Sequence, residues 1–123
     1  MGANFKSDNA AAVAPAILAA LAAAGQGDGG AYGDDAWTRR LNDRLSAVFE
    51  REVAAFPVVS GTAANALSLA VLAPPYGSIY VHDASHANTD ECGAPEFYTG
   101  GAKLVSLPGA HGKIDRQELA RRL

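Results

Sequence analysis

Only one cysteine, Cys92, occurs in the 123 residues, so no internal disulfide can form and a reducing compartment suits the chain. Aromatic residues make up 7%, with a single tryptophan, and alanine and glycine carry much of the 49% hydrophobic content. The expected core is therefore built from small side chains. Long apolar runs are missing too. The most apolar stretch, 10–24, is alanine-rich, too short to span a bilayer and interrupted by Pro15. It lacks the basic start of a signal peptide, with only Lys6 standing near Asp8 and the asparagines. No membrane association is expected, and the cytoplasm is the default location. Basic charge is scarce as well: 10 Lys and Arg against 13 Asp and Glu give a net charge of −3. No basic stripe precedes the short RRL end, which points away from nucleic acid. A charged fraction of 19% beside that hydrophobic content describes a globular chain, and the length allows at most one ordinary domain.

The stretch Phe56 to Leu72, FPVVSGTAANALSLAVL, organises the rest. The apolar run Val53 to Val59 predicts a buried central strand. It breaks at Ser60-Gly61-Thr62, and the good helix formers AANALSLAVL predict a helix after it. Strand, glycine turn and helix together present a helix N-terminus to an anion, with hydroxyls from Ser60 and Thr62 and close backbone approach at Gly61. By itself such a triplet is also what an ordinary turn or cap uses.

Helices alternating with strands predict an α/β fold with a parallel or mixed sheet. Ser7, Asp8 and Asn9 are N-cap types ahead of a helix expected over Ala10 to Ala24, where Pro15 either delays the start or kinks the helix. A glycine-dense loop leads to Asp34 and Asp35, expected to cap an amphipathic helix from Trp37 to Glu52. Ser78 to His82 predicts a second strand, and Ala102 to Leu107 a third. Asp83 to Phe97 predicts a short helix with loops. Near the end, Asp115 and Glu118 have capping-box spacing. A helix that stops at Leu123 is short to stand alone, so the sequence is expected to be the N-terminal portion of a longer protein.

The densest chemistry follows the second strand: His82, Asp83, Ser85, His86, Asp90, Glu91 and Cys92. Ligands of open α/β sheets sit at the carboxyl ends of strands, which puts this cluster and Ser60-Gly61-Thr62 on one edge. Three readings compete. His82 and His86 are four apart and could ligate a metal, but a strand-end His82 need not share a face with His86. Cys92 and His86 could form a nucleophilic pair, although a lone cysteine is more often a small buried hydrophobe. The third reading is an imidazole facing a planar ligand whose phosphate sits at the glycine turn. A hydrogen-bonded strand-end or loop residue is the plainer reading for His82 and His111. Tyr32 and Trp37 are by default core or interface aromatics.

The order FKSDN, YGDD, FPVVSGTAAN, ASHA, DECGAPEF and TGGAKL runs through essentially the whole chain. It resembles the low-specificity L-threonine aldolases, of the threonine aldolase/β-eliminating lyase group of pyridoxal-phosphate enzymes. The resemblance implies an α/β fold shared with aminotransferases, of which residues 1–123 would supply the N-terminal segment and the first part of the cofactor-binding large domain. It implies pyridoxal 5'-phosphate as cofactor and cleavage of β-hydroxy-α-amino acids to glycine and an aldehyde. Ser60, Gly61 and Thr62 resemble the turn that holds the cofactor phosphate. His86 resembles the histidine that stacks on the pyridine ring and assists proton transfer. Ser7 resembles a serine that helps hold the substrate carboxylate, and Tyr32 and Gly33 match a loop by the active site at the interface of a homodimer or homotetramer. Glu91 lies in the segment after the stacking histidine.

The family's Schiff-base lysine, its pyridine-pairing aspartate and its carboxylate-clamping arginine lie on later segments. Lys103 and Lys113 are the only lysines past the glycine turn, and neither stands in the family's lysine context. The chain alone is thus expected to be inactive. Another β-eliminating lyase of the same fold, or a non-catalytic truncated chain, are the alternatives.

Overall fold

A computed structural model describes residues 10–123 of the chain, and Ser7 lies outside the described residues. Two compact units divide at Phe56 and Pro57.

In the first unit, helix α1 spans Pro15–Ala24 and α2 spans Ala36–Val48. Of the two effects open to Pro15, it delays the helix start from Ala10 and does not kink the helix. Pro15 takes the first turn of α1, where its missing N–H is no loss, and no side chain caps the helix. Helix α2 begins as expected at Asp35, whose carboxylate accepts the N–H groups of Trp37 (2.8 Å) and Thr38 (2.9 Å) and the Thr38 hydroxyl (2.6 Å). Asp34 does not cap; it pairs with Arg39 at 2.7 Å in the open. The helix stops at Val48, short of Glu52, and Glu50 takes a left-handed φ of 52°.

The central strand expected over Val53 to Val59 does not form. The Val53 N–H donates to Ser46 Oγ (3.1 Å) and the Ala55 N–H to Asn42 Oδ1 (2.8 Å), so side chains of α2 take the donors a neighbouring strand would need. Pro57 has no N–H to give. Phe56, Val58 and Val59 are exposed rather than buried.

In the second unit, α3 covers Gly61–Leu72, β1 Ser78–His82, α4 His86–Thr89, α5 Ala94–Tyr98, β2 Lys103–Leu107 and α6 Arg116–Arg122. Both outer strands of the sequence reading are present. They pair in parallel, Ser78 opposite Lys103 through to His82 opposite Leu107, with α4 and α5 in the crossover. Helix α3 packs on α5, and α5 on β2. The fully covered apolar side chains are small or compact, Ala66, Pro95, Ala102 and Leu107, in keeping with the alanine-rich composition. Asp115 caps α6 through the N–H groups of Gln117 (2.8 Å) and Glu118 (3.0 Å), but Glu118 turns to Arg121 instead of closing a capping box. The Tyr80 hydroxyl donates to the Arg122 carbonyl at 2.8 Å and ties α6 to β1. Among the described residues no helix is long and apolar enough to cross a membrane.

Thr99 joins α5 to β2. Its buried hydroxyl donates to the Pro95 carbonyl (2.8 Å) and accepts the Ala102 N–H (3.1 Å). Thr99→Val keeps the shape and leaves that buried N–H unpaired, a loss of about 1–3 kcal/mol. Urea denaturation checks this, and an unchanged midpoint removes Thr99 from the account.

The Thr38 hydroxyl, followed by the Thr38 N–H, holds the Asp35 carboxyl below its ordinary value. A depressed folded-state value stabilises above the unfolded one and is lost as pH falls through the folded one. Amide protection at Trp37 and Thr38 is therefore expected to fall on acidification in the wild type and to lack that acid limb in Asp35→Ala. The same acid limb in both proteins assigns it to another group.

Candidate functional site

Helix α3 opens with Ser60 in an extended conformation (φ −152°, ψ 161°). Its Oγ accepts the Ala63 N–H at 3.2 Å, and its carbonyl accepts the Ala64 N–H. The Ser60 hydroxyl proton stays free to donate. The Gly61 and Thr62 amides have no protein acceptor among the described residues. A Cβ built at Gly61 meets nothing within 4 Å, so the chain is uncrowded on that side of the turn. Two free N–H groups, a free hydroxyl and the positive end of a three-turn helix can hold a phosphate or carboxylate. A cavity of about 250 Å³ adjoins them, lined by Ser60, Thr62, Ala63 and Leu67 on one side and Ala94 and Tyr98 on the other.

The cluster after β1 resolves into different parts. His82 closes the strand, nearly covered. Its Nδ1 accepts the Ala84 N–H (3.0 Å), which leaves Nε2–H to donate to the Gly109 carbonyl (2.9 Å). The Asp83 carboxylate, 3.0 Å from the same Nδ1, engages it as a donor only when the ring is doubly protonated. A Cβ at Gly109 would lie 1.7 Å from the Lys113 carbonyl oxygen, so this close approach needs glycine. His82 is thus the hydrogen-bonded strand-end residue of the plainer reading. No group of three His, Cys, Asp or Glu side chains suited to a metal occurs among the described residues.

His86 begins α4 with its side chain 63% exposed, and its Nδ1 lies 2.9 Å from Glu91 Oε1. The Glu91 side chain is fully covered. The same Oε1 accepts the Asn65 amide at 2.6 Å, and Oε2 has no partner. Asn65 stands one turn beyond Gly61 on α3. One buried carboxylate therefore ties the start of α3 to the imidazole that follows β1, as a shared sheet edge requires. Asn65 was not singled out from the sequence, although it is the one amide side chain in an otherwise Ala- and Leu-rich helix.

Cys92 corrects the expectation of a buried thiol. It is exposed, with φ of 51°, and Gly93 follows at 75°. These two left-handed residues reverse the chain immediately after Glu91. Tyr32, in the first unit, is also in the left-handed region (φ 58°) and fully exposed, so it is no core residue. Trp37 is half exposed, with the Arg40 guanidinium 5.8 Å from its ring centre. Lys103 starts β2, at the opposite end of the strands from His82. Lys113 lines a separate open depression with Asp115 and Arg116 at the start of α6.

A helix terminus with unpaired amides, coupled to an imidazole at the carboxyl end of a parallel pair, marks the candidate site of an α/β protein. Comparison with known proteins makes this specific. Residues 4–123 match the family model described as β-eliminating lyase, and the chain belongs to that family. It is 44% identical over 111 residues to the low specificity L-threonine aldolase of Pseudomonas aeruginosa, covering 90% of this chain and 32% of that protein. The low specificity L-threonine aldolase of a Pseudomonas sp. is 42% identical over the same shares. A solved structure of Leishmania major threonine aldolase superposes with a TM-score of 0.82 at 23% identity, over 93% of this chain and 33% of that one, and shows the fold. The chain spans about a third of the length of the curated relatives it matches.

The cap at Ser60 is testable without ligand. Ser60→Ala removes the bond to the Ala63 N–H and is expected to cost about 1 kcal/mol of stability. Thermal melting checks it, and a melting temperature equal to wild type means that the hydroxyl serves no capping role.

Proposed function

We propose that the protein takes part in pyridoxal-phosphate-dependent cleavage of L-threonine and related β-hydroxy-α-amino acids to glycine and an aldehyde. The observation that carries this reading is the link of Asn65 and His86 through Glu91, which holds an anion cradle and a ring partner in one compact unit. The names of the relatives supply the substrate class. The residues present fit the cofactor: its phosphate suits the uncrowded turn at Gly61 and the unpaired amides, and its ring suits an exposed imidazole.

In this reading Ser60, Gly61 and Thr62 bind the phosphate. His86 covers the pyridine ring and exchanges a proton with the substrate. Ser7 and Tyr32 serve the substrate, Ser7 at its carboxylate and Tyr32 from a loop near a subunit interface of a homodimer or homotetramer. When bound, pyridoxal phosphate supplies the electron sink for breaking the Cα–Cβ bond. The chain's own contribution is anchoring, ring orientation and proton handling. Lys103 sits at the wrong end of the strands to reach the site, and Lys113 belongs to another depression. Neither of these lysines is placed to hold the cofactor covalently, and in the family that attachment falls to a lysine further along.

The family model favours one second reading, a β-elimination in place of aldol cleavage. Product analysis with L-threonine separates them: glycine with acetaldehyde for the first, ammonia with a 2-oxo acid for the second.

Gly61→Val adds bulk at the turn, where an added Cβ meets no protein atom within 4 Å. It is expected to weaken pyridoxal-phosphate binding while leaving the fold intact, read by absorbance titration beside circular dichroism. Binding as tight as wild type makes the turn merely structural. In an enzyme that carries the attachment lysine, His86→Phe is expected to keep cofactor binding and lose the proton-transfer share, typically ~10²–10⁴-fold in rate. His86→Ala is expected to lose both. Wild-type turnover per bound cofactor in His86→Ala sinks the assignment.

A further inference from the structure

We propose that Glu91, held by Asn65, is a positioning residue that fixes the His86 ring with its proton on Nδ1, so that Nε2 is the ring's proton acceptor. This deepens the reading just given and rests on it for its catalytic meaning, although the tautomer itself is a property of the protein alone.

Glu91 Oε1 receives two side chains. The Asn65 Nδ2 group only donates, so at 2.6 Å the oxygen accepts. His86 Nδ1 meets the same oxygen at 2.9 Å. An oxygen engaged as an acceptor offers its second lone pair there, and the nitrogen must bring the hydrogen. A neutral imidazole has one N–H, so Nε2 is left bare. The oxygens of the Glu91 carboxylate only accept, so the hydrogen of the shared contact belongs to the ring. Burial makes the arrangement firm. The Glu91 side chain is fully covered, and chain reversal at Cys92 and Gly93 follows directly, so the carboxylate has no alternative partner in solvent.

His82, four residues earlier, carries the opposite arrangement. The Ala84 N–H donates to its Nδ1, and its Nε2–H donates to Gly109. The two histidines are thus set in opposite tautomers by different neighbours, one pinned as structure and one with a free lone pair on an exposed ring.

The consequence is a direction for the proton. When the O–H bond of a β-hydroxyl breaks, the proton goes to Nε2 and the electron pair stays on oxygen. The ring, now protonated at both nitrogens, keeps its Nδ1–H bond to Glu91. His86 in its resting form accepts a proton at Nε2 and does not donate one there.

Long-range ¹H–¹⁵N correlation of the histidine rings tests this in the native, cofactor-free protein, in buffer alkaline enough to keep the rings neutral. The expected result is Nδ1–H for His86 and Nε2–H for His82. A wild-type His86 with its proton on Nε2 overturns the proposal without any variant. In Glu91→Leu the His86 proton is expected to move toward Nε2, while Glu91→Gln, which keeps an oxygen for Nδ1, is expected to retain it. A His86 pattern unchanged in a folded Glu91→Leu also overturns it. In the active enzyme Glu91→Leu is expected to lower turnover toward that of His86→Phe, with cofactor affinity kept. A separate cofactor titration reports on the functional reading. Failure to bind pyridoxal phosphate with the tautomers as expected rejects that reading and leaves the assignment at His86 standing.

Discussion

A single carboxylate oxygen, Glu91 Oε1, receives both the Asn65 amide and the His86 ring, and the geometry of the candidate site depends on it. Taking a carboxylate out of water is costly, and one without good partners would be replaced by an apolar side chain at little loss. Here the two donors come from different elements, α3 and the start of α4, and they converge on one atom. Such a bond network acts as a rivet: shifting either element strands a buried polar group. The weak surface pair of Arg39 and Asp34 has no comparable hold, because both side chains remain in solvent.

The rivet works because the surroundings let elements come close. Ala66 faces α5 from α3, Pro95 is buried at the start of α5, and Ala102 precedes β2. None of these has a long side chain to keep backbones apart. A composition poor in aromatics thus favours short distances over a large apolar core. Polar bonds that reach across, such as Thr99 to Ala102 and Tyr80 to Arg122, then fix orientation where few large side chains interlock.

What could be read from the sequence was local. Asp35 and Asp115 announce their helices because a cap acts over two or three residues. The parallel strands at Ser78 and Lys103 are short, apolar and bounded by turn residues, and both form. For α1 the sequence left Pro15 either to delay the start or to kink the helix, and its rigid φ at the first turn settles the first. The expected strand at Val53 to Val59 failed for a non-local reason: a strand exists only with a partner, and α2 side chains had already taken its donors. The Ser60 turn was legible as a helix start, and His86 as a strand-end imidazole. Their connection was not, since Asn65 and Glu91 are 26 residues apart and nothing in spacing predicts which buried acid meets which amide. The one sequence signal for it is an amide inside an apolar helix, because a polar side chain there needs a partner.

The parallel pair explains why these parts meet. Both strands run the same way, so β1 delivers His82 and then His86 to its carboxyl end. Helix α3 must return against that direction for its first turns to lie beside the same end, and the Asn65 bond to Glu91 shows that they do. A helix placed the other way round would bring its carbonyl-rich C-terminus to the site and repel an anion. Chain direction alone therefore decides the sign of the field at the site. Side-chain chemistry then refines it: Ser60 adds a hydroxyl, Gly61 leaves space, and Glu91 sets which nitrogen of His86 is free. Field and lone pair arise from different links in the chain of causes, topology for one and a buried hydrogen bond for the other, so a substitution at Glu91 can alter proton transfer while the anion cradle at α3 stays intact.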